Sequence, residues 1–151
     1  MFTKKNFKIV FYLLILLLVL IQFFPSIINE SGKKETTDFF EVYPAPKQII
    51  SKIKESCYDC HSNHTRYPWY NKIQPIAFLL QDHIEEAKEE LNFSEFANYS
   101  KRKKKSKLKS ISNEIKDDKM PLWTYTLMHK DAKFSKEEKV EIVKWIDGLI
   151  E

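Results

Sequence analysis

Glycine is nearly absent. The 151 residues hold two, and Gly148 is the only one beyond residue 46. Tight turns built on glycine are therefore missing from most of the chain. Cysteine is as scarce, with Cys57 and Cys60 alone. That excludes a four-cysteine zinc site. A tetrahedral metal would need histidines from among His61, His64, His83 and His129 to complete it. No strand–helix–strand pattern surrounds the two cysteines, which removes the context of a thioredoxin-type dithiol. Small residues are missing where a signal peptidase needs them. The N-terminal apolar run ends in Phe23-Phe24-Pro25, not in an A-x-A-like site.

That run is the first feature present. Met1 to Lys8 carries Lys4, Lys5 and Lys8 and no acid, and IVFYLLILLLVLIQFF follows. With Pro25 to Ile28 the span reaches about 20 residues, the length of a single transmembrane helix. Residues 1–28 are therefore expected to form a basic flank and an uncleaved signal anchor. The lysines predict a cytoplasmic N-terminus, with the remainder outside the inner membrane, in the periplasm of a bacterium. Residues 29–45 read as a polar linker, stiffened by Tyr43-Pro44-Ala45-Pro46. Residues 46–151 are then the one domain the length allows.

The formal charge of +4 is less informative than its distribution. Three of the 25 basic residues precede the apolar run, leaving 22 against 21 acids. Lys101 to Lys109 has seven bases and no acid, whereas Asp82 to Glu95 has six acids and one base. The basic run is a helix face in water, a docking patch for an acidic redox partner or a contact for anionic lipid. Nucleic acid is not expected as a partner.

The densest chemistry is Cys57-Tyr58-Asp59-Cys60-His61. C-x-x-C-H is the attachment signal for c-type haem. Thiols three residues apart lie on one side of a helical turn. There they can add to two vinyl groups along one porphyrin edge, and the next residue presents an imidazole to the iron. The expected cofactor is one covalent haem c per chain, with Cys57 and Cys60 as thioethers and His61 as proximal ligand.

Helical spacing of Ile49, Ile50 and Ile53 predicts a helix running into this motif. Tyr67, Trp69 and Tyr70 follow on a loop, and Tyr67 and Trp69 are candidate porphyrin walls. Arg66 is either a propionate contact or a solvated side chain. Pro75 opens a helix whose stripe is Ile76, Leu79, Leu80, His83, Ile84, Ala87 and Leu91. A helix is expected over 101–116, and Ser135 with Glu138 forms a capping box for the last one. The distal ligand is expected to be Met120, on a loop 59 residues beyond His61. Met128, His129 and His83 are its alternatives, and an open site is the remaining one. A thioether in that position raises the reduction potential relative to a second imidazole.

Cys57-Tyr58-Asp59-Cys60-His61-Ser62-Asn63, Tyr67-Pro68-Trp69-Tyr70, Leu91-Asn92-Phe93-Ser94, Met120-Pro121 and Leu127-Met128-His129 together resemble the bacterial haem-binding domain family of c-type character. The resemblance covers roughly Pro46 to the C-terminus. It implies covalent haem and a cytochrome c-like helical fold, but no defined substrate. The scarcity of glycine departs from ordinary small cytochromes c. The expectation is an all-α, cytochrome c-like haem domain behind a single N-terminal transmembrane helix. Its function is electron transfer with redox partner proteins. A peroxidase-like enzyme with an open distal site, or a haem-based sensor or accessory subunit, is the alternative.

Overall fold

A computed structural model describes residues 4–31 and 36–150. The order is α1 (Lys4–Ile21), α2 (Phe39–Val42), α3 (Lys47–His61), α4 (Ile76–Glu90), α5 (Lys101–Lys116), α6 (Trp123–Met128) and α7 (Lys136–Gly148). Short 3-10 turns occupy Trp69–Lys72, Phe93–Asn98 and Lys130–Ala132. Among the described residues there is no strand, only an isolated bridge between Glu30 and His64. The all-α expectation agrees with this.

The transmembrane expectation does not. Among the described residues no helix is long and apolar enough to cross a membrane. Helix α1 spends its first turns on Lys4, Lys5, Asn6 and Lys8. The apolar part, residues 9–21, rises about 20 Å, against about 30 Å of hydrocarbon. The helix stops before the residues counted on to lengthen it. Gln22 Nε2 donates to the carbonyls of Leu18 (2.8 Å) and Gln74 (3.0 Å), and Gln22 Oε1 accepts from Gln74 N (3.0 Å). Gln74 Nε2 in turn reaches the carbonyl of Phe24 at 3.1 Å. The end of α1 is thus sewn to the start of α4. The membrane-anchored localisation, with its cytoplasmic N-terminus and periplasmic domain, rested on that helix and falls with it.

The expected linker also departs from its sequence reading. Residues 32–35 of it lie outside the described residues, but Phe39 is 0 % exposed at the centre of the core. Its ring lies 4.8 Å from Phe96, 5.2 Å from Phe93 and 5.8 Å from Trp145, centroid to centroid. Asp38 caps α2 by accepting from Phe40 N at 2.9 Å. Around Phe39 gather Ile49 and Ile53 of α3, Leu91 just after α4, Leu108, Ile111 and Ile115 of α5, and Ile142 and Ile146 of α7. The apolar spacing of α5 faces α7, as 3.6-residue periodicity requires. The capping box is present: Ser135 Oγ accepts from Glu138 N (3.1 Å), and Glu138 Oε2 accepts from Ser135 N (2.7 Å).

Without glycine, the chain turns out of α5 on Asp118, whose φ is 56°. A left-handed L-residue costs roughly 1–2 kcal/mol, and Asp is among the few tolerated there. The amides of Lys119 and Met120 both return to the carbonyl of Glu114, at 3.0 and 3.2 Å. Lys139 Nζ holds Asp118 Oδ1 at 2.6 Å. This turn delivers Met120 to the end of α3.

Phe39→Ala should lower the free energy of unfolding in urea by about 3–5 kcal/mol, the usual cost of emptying a large aromatic site. A loss below about 1 kcal/mol would return residues 36–45 to the status of a tether.

Candidate functional site

Helix α3 presents the five motif residues in different directions. Tyr58 goes to the core, stacked on Phe93 at 4.9 Å and donating to Asp38 Oδ1 at 3.1 Å. Asp59 goes the other way, into a polar knot. Arg66 binds it through Nε (3.1 Å to Oδ1), Nη2 (3.3 Å to Oδ2) and its backbone amide (3.2 Å to Oδ1). Tyr125 donates to Oδ2 at 2.7 Å. Cys57, Cys60 and His61 share the remaining face, as spacings of three and four residues dictate.

That face is the floor of a cleft of about 440 Å³. One wall is Ile76, Leu79, Leu80, His83 and Ala87 of α4. The other is Trp69 and Tyr70 with Leu122, Tyr125 and Met128. A second hollow of about 270 Å³ adjoins it, walled by Leu91, Phe93, Lys107, Ile111 and Ile115. Ser56, Cys57, His61, Met120 and Pro121 border both. The walls carry large apolar side chains open to the cleft mouth, with Trp69 69 % and Leu79 58 % exposed. A concave, apolar site of this size with a few convergent polar groups fits a flat organic cofactor.

The imidazole is oriented by the end of α4. His61 Nδ1 lies 2.9 Å from the Ala87 carbonyl and 3.0 Å from that of Leu91. Carbonyl oxygens only accept, so Nδ1 carries the proton and Nε2 keeps its lone pair. The last turn of a helix is its negative pole, which favours a donor there and makes the ring a better ligand. Burial nevertheless lowers the His61 pKa, with a smaller contribution from Lys107, against the opposing pull of the two carbonyls. The ring is therefore neutral at neutral pH.

Both thiols are free of disulfide. Burial pushes Cys57 up to about 12, helped by Cys60, and Cys60 up to about 11, helped by Asp59. A reactive dithiol needs the opposite shift. Beside the two thiols stands a neutral imidazole with a free Nε2, the form in which a histidine ligates a metal.

The remaining expected residues divide. Met120, Trp69, Met128 and His83 line the cleft. Tyr67 is not in its lining. Its hydroxyl accepts from Asn29 N (2.7 Å) and donates to Gln81 Oε1 (3.0 Å), so it braces the segment after α1 and forms no wall. His129 lies in a separate hollow with Asp59 and Arg66. It is stacked on Tyr125 at 4.3 Å, with Nε2 3.0 Å from the Tyr70 hydroxyl. Arg66 is committed to Asp59 and does not line the cleft. Sequence reasoning missed Asp59, Tyr125 and the wall formed by Ile76, Leu79 and Leu80. An acid inside C-x-x-C was a visible signal, but its pairing with Arg66 and Tyr125 depends on how the loop and α6 fold back.

His61 titration gives a stability test in the haem-free protein. Its folded pKa lies below the ordinary 6.5. As pH falls through about 6.5 the unfolded chain gains a proton that the folded chain refuses, so stability falls. His61→Asn keeps a donor for the carbonyls but does not titrate. Between about pH 7 and pH 5 the parent should lose more stability than the variant, by at most about 2 kcal/mol. Equal pH slopes in urea melts would contradict the buried neutral ring.

No curated protein and no solved structure matches the chain. A family model described as a haem-binding domain matches residues 16–148, which takes in α3, the cleft and every wall residue named above. The chain belongs to the haem-binding domain family.

Proposed function

We propose that the chain holds one haem covalently, in c-type fashion, and transfers electrons. Cys57 and Cys60 would supply the two thioethers, and His61 Nε2 and Met120 Sδ would ligate the iron. Trp69, Leu79 and Ile76 would line its site. The observation that carries this reading is the pinned imidazole: Nδ1 is occupied by two carbonyls while both thiols and Met120 border the same cleft. When bound, the haem supplies a one-electron Fe(III)/Fe(II) couple. The chain's own residues do the rest. The carbonyls of Ala87 and Leu91 fix the ring tautomer. The apolar walls keep water from the metal and favour the less charged reduced state. A thioether ligand does the same.

The protein produced together with a haem-attachment system should keep its haem through denaturing electrophoresis, and Cys57→Ala with Cys60→Ala should lose it. Haem that stays on the denatured double variant rules out this attachment site.

The ferric protein should be low-spin, with the weak far-red sulfur-to-iron band. Met120→Ala should abolish the band and lower the midpoint potential. A high-spin parent that binds cyanide or azide without mutation would replace electron transfer by the peroxidase-like or sensor reading.

A further inference from the structure

Helix α5 carries its charge at the wrong end. Lys101, Arg102, Lys103, Lys104 and Lys105 fill its first turns, with Lys107 and Lys109 beyond, and no acid stands in the first turn. The N-terminus is the positive pole of a helix, where acids are favoured and bases repelled. The spacing adds to this. Lys101 and Lys105, Lys103 and Lys107, and Lys105 and Lys109 are like charges four apart, each a destabilising pair. Compensation inside the molecule is slight. Ser100 caps the helix by accepting from Lys103 N at 3.3 Å. Lys103 sits over the Tyr99 ring at 3.9 Å, and Lys107 pairs with Glu90 at 3.1 Å. Among the described residues Lys101, Arg102, Lys104, Lys105 and Lys109 have no ion-pair partner. A solvated face would be served as well by mixed charges, at no cost to the helix. A local rule broken without internal return points to a surface used by something else.

The position says what that is. Lys107 and Ile111 of α5 wall the hollow that His61, Cys57 and Met120 also border. A partner that engages Lys107 together with the basic turns before it therefore lies beside the edge of the site. We infer that the N-terminal half of α5 is the docking surface for an acidic redox protein. Its bases steer the encounter and hold the partner beside the cleft. The inference rests on the electron-transfer reading, because proximity to the site is what selects a redox protein over other polyanions.

The test uses the full chain, haem-loaded and haem-free, with an acidic [2Fe–2S] ferredoxin as probe and amide NMR titration as readout. Signals of 101–109 should shift, and the Kd should weaken about tenfold or more from low to near-physiological salt. Lys101→Glu with Arg102→Glu should weaken binding about tenfold or more. Lys130→Glu with Lys133→Glu, the same change of net charge elsewhere, should weaken it less than about threefold. The first pair should also raise Tm, since acids at that pole favour the helix. Equal weakening by the two pairs overturns the inference, leaving net charge alone. A lowered Tm overturns the claim that the bases strain the helix. Binding to phosphatidylglycerol vesicles that depends on Lys101 and Arg102, with no ferredoxin binding, overturns it in favour of a lipid surface. Thioether haem without docking sinks this inference and spares the proposed function. Docking by a chain that never attaches haem does the reverse.

Discussion

The arrangement depends on one hydrogen-bonding constraint, the imidazole of His61 held against the end of α4. At the end of helix α4 the Ala87 carbonyl accepts from the Leu91 amide at 2.9 Å, and His61 supplies a further donor to it and to the Leu91 carbonyl. One contact joins two helices, sets the tautomer, and leaves Nε2 for a metal. It also fixes which face of α4 borders the cleft, because α4 is clamped to α3 at that point. The apolar stripe from Ile76 to Ala87 then stands over the two thiols. Moving α4 by one residue would turn that stripe away and deprive the imidazole of its acceptors.

Much of this was legible in the sequence, and the legible parts share a cause. The C-x-x-C-H spacing, the helix bounds at Lys101 and Lys116 and the Ser135–Glu138 capping box are local, so neighbours in sequence determine them. Errors came where distant segments decide. An apolar run reads as membrane-spanning when only its composition is weighed. Helix α1 ends at Ile21, and Gln22 just beyond it meets Gln74, more than fifty residues away. Phe39 was read as part of a tether because its flanks are polar. Its burial depends on Phe93, Phe96 and Trp145, none of them near in sequence. Tyr67 was assigned to the cleft for its neighbours, Trp69 and Tyr70, and is drawn off by Asn29 and Gln81.

The shortage of glycine was a real signal. It implied that tight turns built on glycine are missing, and the chain turns by other means. The turn after α5 is present, made by Asp118 at positive φ and held by Lys139. The carboxylate offsets part of the strain through that ion pair, a contribution a glycine cannot make. Surface pairs of this kind are worth little each, so the return of two amides to the Glu114 carbonyl matters more. Composition showed which residue would be absent from the turn, but the turn itself came from hydrogen bonds.

The same logic explains why a polar knot lies behind an apolar cleft. Side chains that face an open cleft gain little from burial, so they hold their own segments in place poorly. The Trp69–Lys72 turn and α6 contain no buried residue at all. These walls are fastened from the rear. Tyr125 reaches Asp59, Tyr70 meets His129, and Arg66 ties the loop back to α3. Asp59 stands between the two cysteines, so the fasteners from Tyr125 and Arg66 run to the helix that carries them, while the third joins the two segments of one wall to each other. Hydrogen bonds to a buried carboxylate are the stronger kind, near 1.5–3 kcal/mol each. The acid inside the motif therefore sets the distance between the walls and the floor. Shape, which an apolar cleft cannot enforce on itself, is imposed by charge placed one layer behind it.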